Sequence, residues 1–126
     1  MAQSRPIKPI ALVVEDDELQ RELVATLLEE SEMGVIQCDT AETAIEVIEK
    51  LGPSLSMLFT DINLAGSVDG VELARFARQR CSSIHIVITS GTDRHDNLPG
   101  DALFMQKPWL ALDLLREAER AQLHNH

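Results

Sequence analysis

The sequence predicts an α/β fold, a doubly wound parallel sheet of five strands with helices on both faces. Three observations predict it. Short unbroken apolar runs suit strands that are covered on both sides. Amphipathic stretches of helical period lie between those runs. Strict alternation of the two joins consecutive strands in parallel through right-handed helical crossovers.

The elements follow in chain order. Ile10-Ala-Leu-Val-Val14 is the first strand, and Leu19, Leu23, Val24, Leu27 and Leu28 then mark one apolar face of a helix. Asp17 with Gln20 is spaced as a capping box for its start. Gly34-Val-Ile-Gln-Cys38 is less apolar and suits an edge strand. Asp39 with Glu42 should cap the next helix, whose buried face is Ala41, Ala44, Ile45, Ile48 and Leu51. The third strand covers residues 55–59, and Asp69 with Glu72 caps a helix with Leu73, Phe76, Ala77 and Cys81 on its inner face. The fourth strand covers residues 84–88 and the fifth 102–105. A last helix, with Pro108 at its first position, carries Leu110, Leu114, Leu115 and Ala118.

Between the fourth and fifth strands the pattern weakens. Asn97-Leu-Pro-Gly100 should break a helix soon after Gly91, so the fourth crossover helix is expected to be short or absent. The whole chain, residues 1–126, reads as one domain with polar, loose ends at 1–9 and from about 122.

Composition narrows the function classes. With 44% apolar and 25% charged residues, the chain can bury a core without metal or disulfide staples. Eleven basic against 21 acidic residues give a net charge of −10, a field that disfavours nucleic acid and anionic membranes as partners. No run is long enough to cross a membrane, and the start lacks a signal-peptide pattern, so a cytoplasmic location is expected. Cys38 and Cys81 stand far apart with no ligand spacing and read as small buried hydrophobes. His85, His95, His124 and His126 likewise form no ligand pattern.

The chemistry gathers where the strands end. Ligands of open α/β sheets bind outside the carboxyl ends of the strands. Those ends read Glu15-Asp16-Asp17, Thr60-Asp61, Thr89-Ser90-Gly91 and Gln106-Lys107-Pro108. Asp17 is assigned to helix capping. Crowding Glu15, Asp16 and Asp61 together requires a cation to offset them. Oxygen ligands with one or two protein carboxylates suit Mg²⁺. A carboxylate beside such a cation is a candidate nucleophile toward phosphorus, with Lys107 and the Ser90 hydroxyl available to phosphoryl oxygens.

Taken together, Val13-Val14-Glu15-Asp16-Asp17, Thr60-Asp61-Ile62-Asn63-Leu64, Asp69-Gly70-Val71-Glu72-Leu73, Ile88-Thr89-Ser90-Gly91 and Gln106-Lys107-Pro108 resemble the receiver domain of two-component response regulators, over nearly the whole chain. The resemblance implies a flavodoxin-like sheet of order 2-1-3-4-5, which makes the first and third strands neighbours. It implies that Asp61 accepts a phosphoryl group from a sensor histidine kinase or a histidine phosphotransfer protein. Asp16, Asp61 and the backbone carbonyl of Asn63 would then hold Mg²⁺, with Glu15 acting through water. Ser90 and Lys107 would bind the phosphoryl oxygens, and Phe104 would be the switch aromatic that turns inward with Ser90. By analogy, the kinase would dock beside the site through the first helix, on the side of Glu18, Leu19 and Glu22. Such a protein is a stand-alone signalling switch rather than an enzyme, with an unnamed downstream protein target.

The chain departs from the family pattern in places. Glu15 stands where Asp is frequent, and the segment from Leu64 to Gly70 is one residue longer and lacks a proline. Three other readings compete. A degenerate receiver acting only as a scaffold would not need Asp16, Asp61, Ser90 and Lys107 together. An aspartate-nucleophile phosphatase would want an acid where Asn63 stands. A flavin protein would want a phosphate loop where the chain has Glu15-Asp16-Asp17.

Overall fold

The computed structural model describes residues 8–91 and 98–124. Five strands form one parallel sheet: β1 (Ile10–Val14), β2 (Gly34–Cys38), β3 (Leu55–Asp61), β4 (His85–Ser90) and β5 (Leu103–Gln106). Their order is β2-β1-β3-β4-β5, as expected, so β2 and β5 are the edges and the order reverses at β1. Helices α1 (Glu18–Glu30) and α4 (Ala111–His124) lie on one face, while α2 (Ala41–Leu51) and α3 (Gly70–Arg80) lie on the other.

Side-chain alternation along each strand divides the core in two. Leu12, Val14, Leu58, Ile86 and Ile88 face α2 and α3. Ala11, Val13, Met57, Phe59 and Val87 face α1 and α4, together with Leu28, Leu114 and Ala118. All seven residues of β3 are buried, which explains its apolar Met57-Leu58-Phe59 centre, and Ser56, Thr60 and Asp61 are enclosed with it. Each large aliphatic side chain so enclosed contributes about 2 kcal/mol. Cys38 and Cys81 are free and buried, as expected.

The helix ends bear out the sequence reading at two starts and correct it at two others. Asp17 caps α1 through Gln20 N–H at 2.9 Å, and Asp69 with Glu72 forms a full capping box on α3. Thr40, not Asp39, caps α2, because its hydroxyl accepts from Thr43 N–H at 3.1 Å while the Glu42 carboxylate is engaged elsewhere. Pro108 is not the first residue of α4. The Asp113 carboxylate reaches back to Leu110 N–H at 3.4 Å, so the helix starts at Ala111.

Two helix faces are narrower than their leucines imply. Leu19 and Leu23 on α1 are 79% and 54% exposed, and Leu110 before α4 is 69% exposed. Strand limits also shift slightly: β3 runs on to Asp61, β4 starts at His85, and β5 spans Leu103–Gln106. Helix α4 continues to His124, past the expected loosening near 122, because Ala121 is buried and the Gln122 amide donates to Ser31 O at 2.8 Å. The expected helix-poor crossover falls mostly on residues 92–97, which lie outside the described residues. After them, a turn closed by Ala102 N–H to Pro99 O at 3.0 Å leads into β5.

Candidate functional site

Register brings the strand-end residues together. Val14 pairs with Thr60, which sets Glu15 beside Asp61 at the carboxyl edge. Asp61 pairs in turn with Thr89, and Ser90 with Gln106. The ladder extends one step at two points, through Glu15 N–H to Cys38 O at 3.1 Å and Lys107 N–H to Ser90 O at 2.8 Å. Lys107 is thereby carried to the mouth of the site although it follows β5, two strands from Asp61.

The Lys107 ammonium lies 2.8 Å from Asp61 Oδ2 and 3.4 Å from Glu15 Oε1. Both carboxylates are almost wholly enclosed, with side chains 9% and 3% exposed, against 24% for Lys107. Asp61 Oδ1 accepts from Asn63 N–H at 3.2 Å, and Glu15 Oε2 accepts from Asp17 N–H at 3.0 Å. Burial raises the Glu15 carboxyl above its ordinary value, and the side-chain hydrogen bond with Asp16 adds to the rise, against the pull of Asp17 N–H and Lys107. Burial alone would lower the Lys107 ammonium. Its bond to Asp61 and the charges of Asp61 and Glu15 outweigh this and hold it above the ordinary lysine value.

Asp16 is exposed beside this buried group, and Asn63 is exposed on the loop that follows β3. Ser90 is buried at the end of β4. Phe104 pairs with Ile88 across the ladder and is half-buried, lining a cavity of about 350 Å³ with Gln106, Trp109, Asp113 and Glu117. Trp109 meets Phe59 edge-on at 5.8 Å.

Two residues matter here that sequence reasoning passed over. The Arg21 guanidinium on α1 donates to Glu15 O at 3.0 Å and to Gln37 Oε1 at 3.2 Å, bracing the end of β1. A basic residue one turn into the helix after an acidic strand end was the available signal. Gly70 packs so tightly beneath Asp61 that a Cβ there would lie 2.0 Å from Asp61 O. Its sequence signal was a glycine at the first helical position, where few residues are disfavoured for any local reason.

Among the described residues, no three His, Cys, Asp or Glu side chains form a ready-made metal cage. The donor set nevertheless suits a hard cation that keeps its own waters. Glu15 and Asp61 share one ammonium, and the exposed Asp16 follows Glu15 directly, so the site carries surplus negative charge, and every donor is oxygen. Asp16, Asp61 and the Asn63 carbonyl are the residues that could hold such an ion.

The family profile of the response regulator receiver domain matches residues 11–107. The transcriptional regulatory protein AruR of Pseudomonas aeruginosa is 34% identical over 95 residues, which take in 73% of this chain and 38% of that protein. The chain thus spans well under half the length of this curated relative. A response regulator receiver protein from Sinorhizobium medicae superposes with a TM-score of 0.87 over 95% of this chain and 98% of its own, at 21% identity, a likeness of fold. NtrX from Brucella abortus, solved in complex with ADP, superposes at 0.79 over 94% of this chain and 28% of its own, at 27% identity.

Proposed function

The chain belongs to the response regulator receiver domain family of two-component signalling, and from that premise we propose that it accepts a phosphoryl group from a histidine kinase or histidine phosphotransfer protein onto Asp61. The observation that carries the proposal is the Asp61–Lys107 pair at 2.8 Å, a buried carboxylate and an ammonium meeting at the carboxyl edge of the sheet.

In this reading a carboxylate oxygen of Asp61 attacks the phosphorus of a phosphohistidine. A P–O bond forms, the P–N bond breaks, and the imidazole nitrogen keeps the electron pair. Asp61 Oδ1 stays oriented by Asn63 N–H. As negative charge passes from the carboxylate to the phosphoryl oxygens, the Lys107 ammonium follows it, and the Ser90 hydroxyl donates to another of those oxygens. Asp16, Asp61 and the Asn63 carbonyl, with Glu15 through water, would hold Mg²⁺, which would supply neutralisation of the phosphoryl charge.

The modification adds about two negative charges. It acts as a switch only because the active conformer binds them better than the inactive one. Half-buried Phe104, beside an open cavity, has room to turn inward as Ser90 moves. The protein is therefore a signalling switch that catalyses its own phosphotransfer and dephosphorylation.

Among the described residues no helix is long and apolar enough to cross a membrane, and we place the switch in the cytoplasm with its kinase. The donor approaches over the groove of Gln20, Leu23, Pro108 and Trp109, which Lys107 also lines. Intact mass after incubation with a small phosphodonor tests the assignment. A single Mg²⁺-dependent phosphoryl adduct that Asp61→Asn lacks is expected. The same adduct on Asp61→Asn would overturn the site.

A further inference from the structure

Residues 62–68 join the end of β3 to the Asp69 cap of α3, and most of the stretch from Leu64 to Gly70 that is one residue longer than the family pattern and lacks its proline lies in this loop. Its base is closed by Ile62 N–H to Thr89 O at 2.9 Å and Gly70 N–H to Ile62 O at 2.9 Å. Leu64 and Val68 pack on the core between the sheet and α2 and α3. The tip at Gly66 and Ser67 is exposed, and its anchor comes from another element. Glu42, in the first turn of α2, accepts from Ser67 N–H at 3.3 Å and is bonded to the Ser67 hydroxyl at 3.2 Å. Gly66 lies flat against the same carboxylate at φ +107°, where a Cβ would approach Glu42 Oε1 to 3.0 Å. The carboxylate is itself held at the helix end: its own N–H, and then Ser67 and Val68 N–H, keep the carboxyl below its ordinary value.

We propose that Glu42 is a positioning residue of the phosphoacceptor site, a strap from α2 that holds the β3–α3 loop and so fixes the Asn63 backbone next to Asp61. The proposal rests on the reading of Asp61 and Asn63 as Mg²⁺ ligands. A longer, proline-free loop has more conformations to lose on ordering, and a charged acceptor that gathers donors from its tip removes that freedom. Mg²⁺ tolerates little departure from its octahedron, so the loop that carries a carbonyl ligand must be held in place. Groups behind metal ligands commonly change affinity by tenfold or more. An exposed strap one step further out is expected to change it by about three- to tenfold.

The test is Mg²⁺ titration by calorimetry on the wild type, Glu42→Ala, Glu42→Gln, Ser67→Ala and the Glu42→Ala/Ser67→Ala double variant, with thermal unfolding measured in parallel. Glu42→Ala should weaken Mg²⁺ binding about three- to tenfold, with part of the loss recovered in Glu42→Gln. Ser67→Ala, which leaves the end of α2 untouched, should also weaken binding. The double variant should be no worse than Glu42→Ala, because both remove one contact. If Glu42 serves only the end of its helix, its loss lowers the melting temperature while Mg²⁺ affinity and Ser67→Ala stay at wild-type values, and the proposal falls. A wild type that binds no Mg²⁺ overturns the metal-site reading along with the proposal. A binding wild type with an equally binding Glu42→Ala overturns the proposal alone.

Discussion

Replacing Lys107 by Met keeps most of the aliphatic stem and removes the ammonium that faces Asp61 at 2.8 Å and Glu15 at 3.4 Å. Breaking a fully buried ion pair costs about 3–5 kcal/mol, and an exposed one less than about 1. Lys107 is 24% exposed, and both carboxylates keep a backbone N–H partner. The expected loss at pH 7 without Mg²⁺ is therefore about 2 kcal/mol. For a chain of 126 residues this lowers the melting temperature by about 8 °C.

The loss should depend on pH with a definite sign. Burial already raises the Glu15 carboxyl above its ordinary value of 4.5, and Lys107 is one of the groups that pull it back. Without the ammonium, folded Glu15 holds its proton to higher pH than the unfolded chain does. Stability of the variant relative to wild type then falls as pH rises from the ordinary carboxyl range toward neutrality. In the wild type, the raised Lys107 contributes stability fully below 10.5, and that stability is lost as pH climbs through the folded value. Thermal unfolding of both proteins from pH 5 to 8 measures the gap. Mg²⁺ should stabilise the variant more than the wild type, since the cation no longer competes with an ammonium, while phosphoryl uptake falls. A gap that is absent at pH 7, or that does not widen between pH 5 and 7, would refute the claim that Lys107 neutralises this acidic pair.

Two further substitutions probe the frame of the site. Gly70→Ala drives a Cβ to 2.0 Å from Asp61 O and 2.9 Å from Ile62 Cα, both backbone atoms. It should cost about 3 kcal/mol and slow phosphoryl uptake, because relief requires the β3–α3 loop to move; a melting temperature equal to wild type would show that the approach is not tight. Thr89 is fully buried, and its hydroxyl has no hydrogen-bond partner among the described residues. Thr89→Val removes an unsatisfied group at constant shape and should raise stability by about 1 kcal/mol, or about 4 °C; chemical denaturation that reports a loss would mean the hydroxyl is satisfied.

What the sequence determined by itself is what depends on neighbours a few residues apart. Apolar runs and helical stripes placed all five strands and the four observed helices. Asp17 and Asp69 marked their helix starts because a cap and its N–H partner lie within one turn. The polar ends of β1, β3 and β4 and the Lys107 that follows β5 were legible for the same reason, since each follows its apolar run directly. Local rules also misled where two residues competed. Asp39 and Thr40 both cap well, and the choice between them turned on Glu42, whose carboxylate is taken by Ser67 from across the fold. Pro108 suits a helix start in isolation, yet Asp113 sets the start of α4 three residues later. Leu19 and Leu23 carry the right period, but whether a residue of that period is covered depends on what packs over it.

Tertiary structure alone decided which strand ends meet, and how closely. Parallel strands are paired through long crossovers, so registers such as Val14 with Thr60 and Asp61 with Thr89 are set by packing on both sheet faces rather than by any nearby residue. Those registers turn separate acids and a distant lysine into one coupled group, enclose Glu15 and Asp61, and bring Gly70 against the Asp61 backbone. They also bring a glutamate on α2 to the loop beside Asp61. The residue types are local facts, whereas the distances that give them a chemistry are long-range ones.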